Sequence, residues 1–131
     1  MPKQVENAAS DDYLSAIYRL THDEGLTAFA VRLSDRLAVT PPSVAGMLKR
    51  LQRDNLVNLD KRKSIMLTKE GLNRAEKMVR RHRLAECLLT SVMQIPWWQA
   101  YEEAHLLEHG ISDITEHHLF KALGKPTKSP F

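Results

Sequence analysis

Within five residues, His105-Leu106-Leu107-Glu108-His109, the chain places two imidazoles and a carboxylate inside about one and a half helical turns. Imidazole nitrogen and carboxylate oxygen both bind divalent transition metals, so this spacing asks for a metal ion. At about 100° per residue, His105 and His109 fall close together on a helix, with Glu108 on the adjoining flank. Two more ionisable groups, His82 and Glu86, share a stripe with Leu72, Ala75, Val79 and Leu89, where a helix should be apolar. Burying an unpaired carboxylate or imidazole is costly, so these two need partners, an edge position or a metal. The plainer alternatives are an ion pair with Arg83 or Lys69 for the first group, and a surface helix end, where His109 would favour the negative end of the dipole, for the second. Glu102 and Tyr101 point in a similar direction to the second group. His22, His117 and His118 lack comparable neighbours and are expected at the surface, and Cys87 reads as a small packed side chain.

These side chains need helices to hold them, and the periodicity supplies six. Leu14, Ile17 and Tyr18 mark a first helix from about Asp11 to Thr21, ending before Gly25. A second runs from about Thr27 to Ala38, with Ala30, Leu33 and Leu37 on one stripe. Thr40 is an N-cap followed by Pro41, whose missing amide hydrogen costs nothing at the first helical position. In the third helix Val44, Leu48 and Leu51 face inward, leaving Ser43, Gly46, Arg50 and Arg53 outside. Leu56 to Leu59 and Ser64 to Leu67 then read as a hairpin around the charged turn Asp60-Lys61-Arg62-Lys63. Thr68 can cap a long fourth helix reaching about Val92, although Gly71 stands where a capping box wants Glu. A fifth helix spans about Pro96 to His109, closed by Gly110 in a left-handed conformation, and Ser112 caps a sixth, Asp113 to Leu123. Trp97 and Trp98 belong in the second core or at a subunit interface.

The composition narrows the class. The 131 residues, 43% of them hydrophobic, suffice for one good core or two small dependent ones. A single cysteine excludes both a disulfide framework and a cysteine-rich zinc site within one chain. Met1 to Ser10 lacks the apolar stretch of a secretory signal, and no run approaches the roughly 20 apolar residues of a membrane span, so a soluble, cytoplasmic protein is expected. The net charge is only +3, but Lys49, Arg50, Arg53, Lys61, Arg62 and Lys63 cluster on the third helix and the hairpin turn. Two helices, a third basic helix and a hairpin make a winged helix, which gives that cluster a reason to meet nucleic acid.

The segments DDYLSAIYRL, TPPSVAGMLKRLQRDNLV, RRHRLAECLL and HLLEHGIS, in this order and spacing, resemble the iron- and manganese-dependent repressors of the diphtheria toxin repressor and manganese transport regulator type. The resemblance runs from about Asp11 to Phe131. It implies a mainly helical protein: a winged-helix DNA-binding domain over residues 1–70, a helical metal-binding and dimerisation domain over 71–125, and a tail, 126–131, with no third, SH3-like domain. It implies a homodimer that binds double-stranded operator DNA when loaded with metal. Carried over by position, the metal residues are Asp12, His82, Glu86, His105, Glu108 and His109. The DNA-facing residues are Thr40, Pro42, Ser43, Arg50 and Arg53, with Lys61, Arg62 and Lys63 on the wing. His105 departs from the Cys or Glu usual at its position. Ser15 stands where the manganese type has a second carboxylate, Tyr101 where the diphtheria type has a histidine, and Gly46 where a Gln-like base reader is usual.

The expectation is therefore a metal-dependent transcriptional regulator, not an enzyme, that represses metal-uptake genes. Asp12 resembles the manganese branch and favours Mn(II) or Fe(II); a mixed nitrogen and oxygen site also accepts Zn(II) and Co(II). Two other functions compete with it. The string His105-x-x-Glu108-His109 also fits a zinc-peptidase signature, but such an enzyme needs a distant acidic ligand and a substrate cleft, and few residues follow His109. A winged-helix regulator answering to an organic effector leaves His82 and Glu86 unexplained.

Overall fold

The computed structural model describes residues 8–126, which fall into two units, 8–76 and 77–126. Of the tail, 126–131, only Pro126 is among them. The fold is mainly helical with one small sheet. In chain order the elements are α1 (Ala8–Tyr18), α2 (Ala30–Leu37), α3 (Pro41–Arg53), β1 (Val57–Leu59), β2 (Ile65–Leu67), α4 (Lys69–Cys87), α5 (Trp97–Glu108) and α6 (Asp113–Ala122).

The first unit is built around residues that recur every three or four positions. Tyr13, Leu14, Ile17 and Leu20 from the first helix meet Leu33 of α2, Val44, Leu48 and Leu51 of α3, and Leu56, Val57 and Ile65 from the hairpin and its approach. Each fully buried aliphatic side chain contributes roughly 1.5–3 kcal/mol. Thr40 caps α3 as expected, its hydroxyl accepting from the Ser43 amide, and Pro41 and Pro42 open the helix. The hairpin pairs Val57 with Leu67 and Leu59 with Ile65, antiparallel. The second helix starts at Ala30, three residues later than its periodicity implies. Ala28 is used elsewhere: its carbonyl accepts from the Ile65 amide at 2.8 Å, adding a bridge to β2, and Ala30 is exposed.

Gly71 has a steric explanation. Thr68 caps α4 through the Gly71 amide while its own hydroxyl donates to the Asn55 carbonyl and its amide to the Leu56 carbonyl. That draws the helix start onto the backbone before β1, so that a β-carbon at Gly71 would stand 2.0 Å from the Leu56 oxygen. Glu cannot be accommodated there.

Two helices end by the same device. After α1, Arg19–Asp23 widens into a π-type turn, and after α4 Leu88–Val92 does the same. In each, a threonine hydroxyl donates four residues back, Thr21 to the Ile17 carbonyl and Thr90 to the Glu86 carbonyl. The chain then passes through a left-handed residue, Gly25 at φ +66° and Gln94 at φ +57°. Gly110 is not left-handed, contrary to its expected role: α5 closes through bonds from the Gly110 amide to Leu107 and the Ile111 amide to Glu108.

The second unit has a smaller apolar core of Ala85, Leu89, Ala104 and Ile111, with Ile95 and Leu119 packed against it. Ion pairs supplement it. The buried Arg81 guanidinium donates through Nε to Glu116 at 2.7 Å and through Nη2 to Asp113, to which Lys77 also donates. Asp113 is held below the usual carboxylate range by Lys77 first and then Arg81. Trp97 and Trp98 do not join this core, because they occupy the outward side of the first turn of α5.

Candidate metal centre

The ligand stripe on α4 is buried. His82 and Glu86 are each 3% exposed and Glu108, from the last turn of α5, 4%. His82 makes close contacts with two other candidate ligands. His82 Nδ1 lies 3.3 Å from Glu108 Oε1, and His82 Nε2 lies 3.4 Å from Glu86 Oε1. The same Glu108 oxygen is 3.0 Å from His105 Nδ1. His105 and His109 stand with ring centroids 5.4 Å apart and planes nearly perpendicular. The edge of the Tyr101 ring meets His82 at a centroid distance of 4.8 Å.

This arrangement poses a donor problem. A neutral imidazole has one N–H and one lone pair, whereas an ionised carboxylate only accepts. With a carboxylate on each side, neutral His82 satisfies one neighbour and turns a lone pair toward the other. Its Nε2 is accordingly a buried atom within ion-pair range of Glu86 but without hydrogen-bond geometry. Two changes relieve the conflict. One is protonation: burial pulls the His82 pKa down, but the Glu108 and Glu86 carboxylates beside it outweigh that and hold it above the ordinary histidine value. The other is a cation between the lone pair and the carboxylate. Two ligand atoms each about 2.1 Å from one ion lie about 3.0–3.4 Å apart at tetrahedral or octahedral angles, and the His82–Glu86 separation matches this. The two carboxylates also carry the charge that a divalent ion neutralises. The residues of this unit fit a metal.

Asp12 lies half-buried on α1, in the other unit, beside Asp11, which pairs with Arg74 at 2.9 Å. Cys87 is buried, and burial pushes its thiol pKa up, as suits a packed side chain. His22, His117 and His118 are exposed; His22 stacks on Tyr18.

The basic residues lie at the surface of the first unit, on α3 and at the hairpin tip. Ser43, Gly46, Lys49, Arg50 and Arg53 are exposed on α3, opposite Val44, Leu48 and Leu51, and Thr40 and Pro42 are exposed at its start. Lys61, Arg62 and Lys63 form the exposed tip of the hairpin. Asp60 holds that tip. Its Oδ1 accepts from the Arg62 and Ser64 amides at 2.9 Å, and its Oδ2 accepts from the Ser64 hydroxyl at 2.7 Å. The sequence places Asp60 in the charged turn without giving it a role; the Asp and Ser flanking three basic residues were the available signal for a side-chain-closed turn.

Residues 7–65 match the family model for the iron-dependent repressor N-terminal DNA-binding domain, and residues 68–131 the model for the iron-dependent repressor metal-binding and dimerisation domain. The chain is 39% identical over 119 residues to the iron-dependent repressor IdeR of Mycobacterium leprae, covering 91% of this chain and 51% of that one. It thus spans about half the length of that relative. It is also similar to the solved structure of the manganese regulator SloR, with a TM-score of 0.82 and 33% identity over 92% of this chain and 55% of that one. A manganese-dependent transcriptional repressor in complex with manganese matches with a TM-score of 0.86 and 29% identity, over 92% and 55%. With a winged helix carrying an exposed basic face and a second unit carrying buried His and Glu side chains, the chain belongs to the iron-dependent repressor family.

Proposed function

We propose that this chain represses metal-uptake genes as a cytoplasmic homodimer that binds a palindromic operator when loaded with Mn(II) or Fe(II). The observation that carries the reading is the buried cluster itself: His82 stands between the Glu86 and Glu108 carboxylates, all three at most 4% exposed, a mixed nitrogen and oxygen donor set whose negative charge a divalent cation balances. His82, Glu86, His105, Glu108 and His109 would hold metal, and Asp12 is carried over from the resemblance as a further carboxylate ligand. The ion supplies positive charge and fixed coordination to a buried cluster that carries two carboxylates. Metal can drive the switch only by binding the DNA-competent state more tightly than the other, since only such a difference in affinity between states shifts the population. Arg50 and Arg53 would then meet the major groove with Thr40, Pro42 and Ser43, while Lys61, Arg62 and Lys63 meet phosphates. The His-x-x-Glu-His string serves regulation here, since the family is one of repressors and not of peptidases.

Raw affinity should place Zn(II) above Mn(II), so response to Mn(II) or Fe(II) would come from geometry and cellular supply. The deciding experiment is operator binding by the purified protein titrated with each metal in turn. Divalent metal should raise affinity for one palindromic site; equal binding with and without metal would overturn the reading.

A further inference from the structure

The wing tip holds an acidic residue where a polyanion is expected. Asp60 opens the loop 60–64 between β1 and β2, directly before Lys61, Arg62 and Lys63. By charge alone it should weaken attraction to phosphates, and replacing it should tighten DNA binding. The geometry argues the reverse. Both carboxylate oxygens are turned into the loop, Oδ1 accepting from the Arg62 and Ser64 amides and Oδ2 from the Ser64 hydroxyl. The main chain of Asp60 closes the same loop: its amide donates to the Ser64 carbonyl at 3.2 Å, and its carbonyl accepts from the Lys63 amide at 2.9 Å. The donors to the carboxylate are two amides and a hydroxyl, so the cationic heads of Lys61, Arg62 and Lys63 are left to solvent.

Lys63 adds an independent observation. Its φ of +61° lies in the left-handed region, where Gly or Asn is at ease and a long side chain is strained. Strain of this kind persists where the surroundings over-determine it, and it clusters at functional positions. The base of the arm is fixed as well. Val57 and Ile65 are buried in the core of the first unit, and the Ile65 amide donates to the Ala28 carbonyl. From core to tip, the wing is held by its own bonds.

We propose that Asp60 is a positioning residue for DNA binding: its carboxylate, with the Ser64 hydroxyl, sets the loop so that Lys61, Arg62 and Lys63 meet phosphates already ordered. The inference rests on the wing meeting DNA in the proposed function, and it gives an acidic group a favourable effect on binding an acidic polymer. The hairpin tip lies within the segment that matches a DNA-binding domain. An exposed loop bearing three long cationic side chains would otherwise lose backbone freedom on contact with DNA, and fixing it beforehand removes that loss from binding.

Asp60→Ala and Asp60→Asn remove the same charge, so the difference between them isolates the turn. Asparagine keeps an Oδ1 that can accept from both amides, and its Nδ2 can donate to the Ser64 hydroxyl oxygen; alanine offers neither. Binding is measured by fluorescence anisotropy over a salt series, with Mn(II)-loaded protein and a duplex that this protein has selected from a random pool. Asp60→Ala should weaken binding at least about fivefold and lower the salt slope by about one unit or more. Asp60→Asn should bind no more weakly than the unaltered protein, with no fall in slope. Tighter binding by Asp60→Ala, or equal binding by the two variants, overturns the proposal. Should Asp60→Ala fail to fold, Ser64→Ala decides, because it changes no charge: a loss of at least about twofold supports the proposal and unchanged affinity overturns it. Lys61→Ala and Lys63→Ala test the reading beneath. If neither changes affinity or slope, the wing does not meet DNA and both readings fall. If they weaken binding while Asp60→Ala and Asp60→Asn stay equal, only the positioning role falls.

Discussion

His82 shows how one side chain concentrates the chemistry of the site. Its two nitrogens face Glu108 and Glu86, and Glu108 in turn reaches His105 through the same oxygen. Glu108 is therefore the group whose charge is shared most widely. Glu108→Gln keeps the volume and one carbonyl oxygen while removing the charge. Mn(II) affinity should fall by at least about tenfold, with the metal-free thermal midpoint moved by only a few degrees. Competition titration and thermal unfolding in chelator check the two halves, and unchanged affinity would remove Glu108 from the ligand set. His105 is the departure from the usual Cys or Glu, and imidazole suits Zn(II) and Co(II) better than carboxylate does. In His105→Glu, affinity for those two ions should drop more than affinity for Mn(II), measured by competition on one preparation. Equal losses would mean that His105 does not set metal preference.

At the scale of elements, stability is set by a few backbone positions. Gly71→Ala should cost about 1–3 kcal/mol or more, because the added methyl meets the Leu56 carbonyl, a backbone group that cannot swing aside. Gln94 occupies a left-handed position that its counterpart Gly25 fills without strain. Gln94→Gly should therefore stabilise by about 0.5–1 kcal/mol, read as a rise of a few degrees in the unfolding midpoint. The wing turn depends on Asp60, whose pKa is lowered chiefly by the Ser64 hydroxyl and amide and by the Arg62 amide. A depressed folded-state pKa contributes stability above the ordinary carboxylate value, lost as pH falls through the folded one. In an NMR titration the Ser64 amide should change with a midpoint below the ordinary Asp value of about 3.9. In Asp60→Ala the same amide should exchange faster at neutral pH.

For the whole molecule, the distribution of charge matters more than its total of +3. The exposed positive groups on α3 and at the wing tip make a localised field suited to a polyanion. Arg50→Ala or Arg53→Ala should weaken operator binding more than loss of any one wing lysine, and each phosphate contact removed should lower the salt slope by about one unit. Fluorescence anisotropy over a salt series measures both. Unchanged affinity and slope in both arginine variants would mean that another face meets DNA.

Helix identity, caps and the buried faces were legible in the sequence because they follow from local periodicity and local hydrogen bonding. Thr40-Pro41 and Ser112 mark helix starts, and Val44, Leu48 and Leu51 mark an inner face, whatever lies elsewhere in the chain. The candidate ligands on α4 and α5 were legible for the same reason, as ionisable groups interrupting apolar stripes. What depends on residues distant in sequence was decided only by the tertiary structure. Ala28 leaves the second helix because Ile65, 37 positions later, takes its carbonyl. Gly71 is required because Thr68 ties the start of α4 to Asn55 and Leu56. His82 finds Glu108, 26 residues on, because helix packing brings the two side chains together and buries both. Local spacing determined which groups could do chemistry, and long-range packing determined which of them share one oxygen, since burial converts two separate charges into a single electrostatic problem.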